Sequence, residues 1–255
     1  MTSLKSYTIG LVFVVMFLVA ANVRADVLTG MGHADMPRYI VQLDKAWKYA
    51  DGINVEDTSK EDTFRVFCSD LYTFTSDDFS GTGQSYKSVF LANSTFHTDL
   101  QKSQLQSLFD HVYTKAFNDD YSMNDPLYAS IFQIAVWEIV HDSGNLSATS
   151  GNIQLTGAAT LNANGKHYID NNAFANIQST LGQWYEAILN DSWDVLGYEY
   201  DPVTLTVWLA EGGSNVSQTF VGVNLSSVAT PEPATLAIIG LGLAGLGLAR
   251  RRITK

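Results

Sequence analysis

Cysteine is almost missing from this chain. There is one, Cys68, so no disulfide can form within the molecule and a packed core has to hold it together. A leftover thiol in an exported protein points instead to an intermolecular bond or to reactivity. Basic residues are scarce as well. Residues 26–230 carry 9 Lys and Arg against 25 Asp and Glu, a net of −16, and a surface of that sign repels nucleic acid and anionic polysaccharide. No nucleic-acid partner is expected. The sequence also lacks G-x-S-x-G, H-E-x-x-H and a phosphate-binding loop, and no hydrolase signature surrounds Cys68. An enzyme that turns over is therefore not expected, and neither is a cofactor. The acidic stretch over residues 118–125 does not follow the order of a calcium-binding EF-hand loop, so it reads as a solvated loop, with calcium binding left open.

Apolar residues make up 46% of the 255 and aromatic ones 12%, enough for one large domain or two small ones. The chain begins with Lys5, an apolar run over residues 9–20, and Val23-Arg24-Ala25. A charged start, a short apolar segment and a small residue at the exit describe a secretory signal peptide, cut after Ala25. The alternative is an uncleaved anchor. At the other end the apolar run over residues 234–249 falls somewhat short of the roughly 20 residues that span a bilayer. Arg250, Arg251 and Arg252 follow it and would stay on the cytoplasmic side. Taken alone, this is a plain membrane anchor. With Pro231, Glu232 and Pro233 in front, the order of parts resembles the PEP-CTERM sorting signal. That resemblance implies a Gram-negative host and transient membrane insertion of the tail. It also implies removal by an exosortase-type membrane protease and delivery to the cell surface or to an extracellular, biofilm-type matrix. The expected organisation is 1–25 signal peptide, 26–229 extracellular domain and 230–255 sorting tail.

Within the domain, Tyr39, Ile40, Leu43, Ala46, Trp47 and Ala50 fall on one helical stripe, which predicts an amphipathic helix over residues 36–50. Phe64, Val66 and Cys68 alternate with Arg65 and Phe67 as in a strand. Residues 71–74 continue an extended reading, and residues 89–91 read as a minor strand or turn. Ser103 with Gln106 fits a capping box, opening a helix that lines up Leu105, Leu108, Phe109, Val112 and Ala116. Residues 143–165 read as a long connector with a hairpin around Gly151 or Gly157. Phe174, Ile177, Leu181, Trp184 and Ile188 recur at helical gaps, and residues 203–223 form two alternating runs joined by a turn. Strands near the two ends and a central helical lobe make the class α+β, with an antiparallel sheet or sandwich.

Residues 125–142, D-P-L-Y-A-S-I-F-Q-I-A-V-W-E-I-V-H-D, carry most of the chemistry. Asp125 can cap a helix and Pro126 suits its first position. Beyond them the helix is apolar all round, as buried helices are, and only Gln133 and Glu138 interrupt it. Gln133 reads either as a satisfied core amide or as a group used chemically. Gln133, Ala135 and Trp137, together with the lone Cys68, resemble the thioester domains of bacterial surface adhesins, although Phe132 stands where that family commonly has Thr. The resemblance covers residues 64–142. It implies a bond from the Cys68 sulfur to the Gln133 side-chain carbonyl and a single-turnover attachment to a surface amine or hydroxyl of an unidentified target. Phe67, Phe132 and Trp137, with Tyr72 and Tyr128, could shield such a bond from water. Glu138 and His141 are the residues near enough in sequence to assist proton transfer. His97 and His111 read as surface or helix-face residues, and no metal site is expected. The competing expectation is a non-covalent structural protein of an exopolysaccharide matrix, with Cys68 inert or dimerising, since buried cysteine often behaves as a small hydrophobe.

Overall fold

In a computed structural model the chain divides into two compact units, Met1–Val223 and Asn224–Lys255. The structure describes residues 26–33, 38–43, 46–50, 52–58, 62–71, 84–117, 126–142, 146–161, 166–211 and 218–223, all in the first unit. The expected signal peptide, the sorting tail, the Asp125 cap, Tyr72, residues 72–74 and the acidic loop at 118–125 lie outside the described residues.

Among the described residues the fold is α+β, with three α-helices and two antiparallel sheets. One sheet closes into a barrel. Its strands are β1 (Asp26–His33), β4 (Ile53–Asp57), β5 (Asp62–Cys68), β10 (Phe220–Val223), β9 (Leu205–Ala210) and β6 (Gln84–Phe90), in that spatial order. Closure removes the open strand edges that a flat sheet would expose. The second sheet runs β3 (Ala46–Tyr49), β2 (Arg38–Leu43), β7 (Leu155–Leu161), β8 (His167–Ile169). The helices are α1 (Asp99–Ala116), α2 (Pro126–His141) and α3 (Asn171–Asn190).

Register fixes which residues fill the barrel. Val55 opposes Phe64, Cys68 opposes Phe220, and Phe220 opposes Trp208, so these side chains share one face. Phe64 stacks on Trp208 with centroids 4.7 Å apart, and Tyr86 lies 5.5 Å from Phe220. The alternate residues of β5 face the helices. Phe67 packs among Phe109, Tyr113, Phe117 and Phe132, and the Arg65 guanidinium lies 4.6 Å over the Phe117 ring. Strand alternation therefore sends Phe67 and Cys68 to opposite sides of β5.

Gly222 is required by closeness. A Cβ there would come within 2.5 Å of the Arg65 carbonyl oxygen and 3.3 Å of the Val66 Cα, neither of which can move without breaking the β5–β10 ladder.

Four local expectations are corrected. Where a helix over residues 36–50 is expected, the described residues form β2 and β3, antiparallel strands with Ile40 opposite Tyr49 and Gln42 opposite Trp47. Pairing with β7 rewards an extended backbone that suits Tyr39, Ile40 and Val41, and the apparent helical stripe came from two short strands read as one segment. Helix α1 starts four residues before the Ser103 position. Thr98 accepts from the Gln101 N–H while Gln101 accepts from the Thr98 N–H, so the capping box is Thr98–Gln101. The stretch read as a connector holds β7, with Gly157 opposite Gln42 inside the sheet. His97 is not at the surface: it is 4% exposed, turned inward just before α1.

Candidate functional site

Cys68 ends β5, on the barrel-interior face, and is 7% exposed. The strand pairing runs one residue further. Both the N–H and the hydroxyl of Ser69 donate to the Thr219 carbonyl, at 2.9 Å each. Helix α2 packs against β5, and a nearly all-apolar sequence explains why it can be buried along most of its length. Gln133 comes from the middle of that helix and has no exposed surface. Its Nε2 donates to the Cys68 carbonyl at 2.9 Å, and its Oε1 accepts from the Cys68 N–H at 3.1 Å. The side-chain amide thus pairs with the Cys68 backbone as another strand would. Both ends of the buried amide are satisfied, which offsets a penalty of about 1–3 kcal/mol.

The thiol has its own partner. Cys68 Sγ donates to Gln218 Oε1 at 2.8 Å, and Gln218 Nε2 donates to the Asp70 carbonyl at 2.9 Å. Nothing in the sequence marked Gln218. It is a single amide just ahead of β10, and only the register that sets Phe220 against Cys68 brings it to the sulfur.

The other residues singled out from the sequence each have contacts of their own. Phe132 shares the aromatic cluster of Phe67, at 4.7 Å. Trp137 is 3% exposed, and among the described residues its indole N–H has no hydrogen-bond partner. Tyr128 lies 5.9 Å from the Trp184 ring. Glu138 is buried, and its carboxylate accepts from the Ser147 N–H at 2.8 Å. His141 Nε2 accepts from the Leu71 N–H at 3.2 Å, which brings α2's last residue to the exit of β5. Burial lowers the His141 pKa from its ordinary 6.5, against the opposing pull of Asp70 and Asp142. A neutral ring is what that acceptor role requires, since both ring nitrogens of a protonated histidine donate. His111 stacks on Trp193 from the face of α1, 4.9 Å between centroids. Among the described residues, no group of three His, Cys, Asp or Glu is placed to hold a metal ion, and no helix is long and apolar enough to cross a membrane.

Comparison with known proteins adds two findings. Residues 229–252 match the PEP-CTERM protein-sorting motif, so the chain ends in a sorting signal of that type. Among solved structures the chain is similar to the N-terminal thioester domain of fibronectin-binding protein SfbI from Streptococcus pyogenes, at 11% identity and a TM-score of 0.43, covering 76% of this chain and 99% of that one. It is similar to the N-terminal domain of the Streptococcus pyogenes pilus tip adhesin Cpa, at 14% identity and 0.45, covering 80% and 99%. It is also similar to a cysteine-to-alanine variant of the N-terminal thioester domain of a surface protein from Clostridium perfringens, at 16% and 0.39, covering 74% and 99%. No curated protein matches the chain in sequence.

Proposed function

We propose that this is an exported surface protein that attaches covalently to a partner through a thioester between Cys68 and Gln133. The observation that supports it best is the two-point hydrogen bonding of the fully buried Gln133 amide to the Cys68 backbone. The amide is held against the backbone of the residue that bears the thiol, and such fixed proximity is the source of the effective concentration that attack on an unactivated amide needs. The Cys68 sulfur adds to the Gln133 Cδ, the C–N bond breaks, and the thiol proton leaves with the nitrogen as ammonia. In attachment the sulfur, the nucleophile of the first step, becomes the leaving group. An amine or hydroxyl on the target bonds to Cδ, the C–S bond breaks, and the nucleophile's proton ends on sulfur. The event occurs once per molecule, so this is not a turnover enzyme.

The tail supports the surface address. Pro231, Glu232, Pro233 and the Arg250, Arg251 and Arg252 cluster would direct an exosortase-type protease to remove residues beyond the motif, freeing the domain from the membrane. In the competing reading, the protein is a non-covalent matrix component. A disulfide-linked dimer is disfavoured by the burial of Cys68, because sulfur-to-sulfur exchange needs access to the thiol.

Intact mass of the unreduced protein separates these readings. A mass lower by one ammonia, located to the Cys68 and Gln133 peptides, supports the thioester. The full unmodified mass in freshly purified protein sinks it, and a doubled mass that collapses on reduction indicates the dimer.

A further inference from the structure

The contact between Cys68 and Gln218 has a consequence for how the site reacts. The orientation of the Gln218 amide is settled at its far end. The Asp70 carbonyl can only accept, so Nε2 must face Asp70 and Oε1 must face the sulfur. The backbone beside it is fixed too, because the neighbouring Thr219 carbonyl takes both the N–H and the hydroxyl of Ser69. Gln218 is 9% exposed and Cys68 7%, so this acceptor works largely out of bulk water, where one hydrogen bond counts for more.

An acylated sulfur carries no hydrogen. Resting on the thioester reading, we infer that Gln218 is the positioning residue of the acyl transfer. It holds the thiol proton before the bond exists. Once Cys68 Sγ is acylated, the vacated Oε1 takes the N–H or O–H of the incoming nucleophile. That places the attacking atom beside Cδ and its proton beside the sulfur that must receive it. The nitrogen or oxygen bonds to Cδ, the C–S bond breaks with its electron pair going to sulfur, and the proton passes to sulfur. The restored thiol then donates to Gln218 again. A docked group therefore needs both a hydrogen and a free lone pair, as a neutral primary amine or a hydroxyl has and an ammonium does not.

The test uses the full chain and methylamine as the nucleophile. In protein that has lost ammonia, Gln218→Leu should slow methylamine uptake by about ten-fold or more, the cost of one buried hydrogen bond. Gln218→Glu keeps an acceptor oxygen but loses the donor to the Asp70 carbonyl and adds a charge that opposes the departing sulfur, so its rate should fall between those of Gln218→Leu and the unsubstituted chain. Uptake in Gln218→Leu equal to that of the unsubstituted chain overturns the inference. A second measurement covers the case in which Gln218→Leu fails to fold or to form the bond. In the Gln133→Ala chain, where the thiol stays free, Gln218→Glu sets a carboxylate against the sulfur and should move the pH profile of Cys68 alkylation to higher pH, because a neighbouring negative charge disfavours the thiolate. An unmoved profile refutes the contact. This arm does not need a thioester, so absent ammonia loss with a shifted profile rejects the attachment chemistry and leaves Gln218's hold on the thiol standing.

Discussion

The Gln133 side chain is bonded to Cys68 through the Cys68 backbone: carbonyl to Nε2 at 2.9 Å and N–H to Oε1 at 3.1 Å. A residue expected from sequence to be a reactant is therefore also a structural tie between α2 and the end of β5. Gln133→Ala strands a buried N–H and a buried carbonyl and opens a small cavity, and should cost about 2–4 kcal/mol. Cys68→Ala removes one sulfur from a site whose backbone bonds survive, and should cost about 1 kcal/mol. Urea unfolding of the two variants should rank them in that order. Equal stabilities would mean that the backbone pairing contributes little.

Reactivity separates the same variants differently. Methylamine should add to Gln133 in the unsubstituted protein and expose one thiol. Neither Cys68→Ala nor Gln133→Ala should take up the amine, and Gln133→Ala should show a free thiol from the start. Uptake that persists in Cys68→Ala would assign the acyl donor to another residue.

Gly222 and Gly182 offer a matched contrast. A methyl group at Gly222 would collide with the β5 backbone, whereas one at Gly182 in α3 meets nothing within 4 Å. Gly222→Ala should destabilise by about 1–3 kcal/mol through forced displacement of β10, and in the Gln133→Ala chain, where the thiol is free, should speed alkylation of Cys68 by loosening the ladder beside it. Gly182→Ala should stabilise by about 0.5–1 kcal/mol, the helix preference for alanine. Thermal unfolding should shift in opposite directions for the two.

Acid should weaken the fold through buried His97 and half-buried His141. His97 is lowered from 6.5 to about 4, first by burial and then by Lys102. Its ring packs 4.9 Å from Phe96, and its Nδ1 lies 3.4 Å from Ser94 Oγ. Above pH 6.5 the ring is neutral whether folded or unfolded, and its contribution is fully present. Between 6.5 and 4 the unfolded chain binds a proton that the folded chain refuses, so stability falls as the pH falls, by about 2–3 kcal/mol for this group. The lowered His141 acts in the same direction. His97→Gln should reduce the difference between unfolding free energies measured near pH 7 and near pH 4. An unchanged difference would show that His97 titrates alike in both states.

Much of the fold was written in local patterns. The alternation of Phe64, Val66 and Cys68 reported β5, and the apolar run from Ile131 to Val140 reported a buried helix, because each element's burial is set by its own side chains. The hairpin of β9 and β10 was legible for the same reason. Residues 38–49 were not, since what makes them strands is a partner more than a hundred residues away in β7. The candidate site divides along the same line. Cys68 and Gln133 stood out as a lone thiol and a polar interruption in an apolar helix. Gln218 carried no such mark, because its position at the sulfur follows from β-register.

The pairing of β5 with β10 spans some 150 residues of chain, and this sets a clock. Cys68 emerges from the ribosome early and Gln133 later, but the strand that seals the barrel beside the thiol is the last described piece of the domain. A chain crossing a membrane from its N-terminus cannot complete this corner until nearly all of the domain is across. Contacts so distant in sequence form late in folding in any case. On the proposed reading, an exported chain that forms a Cys68–Gln133 thioester, late closure is protective: the acyl bond is sheltered from water only once β10 has paired with β5.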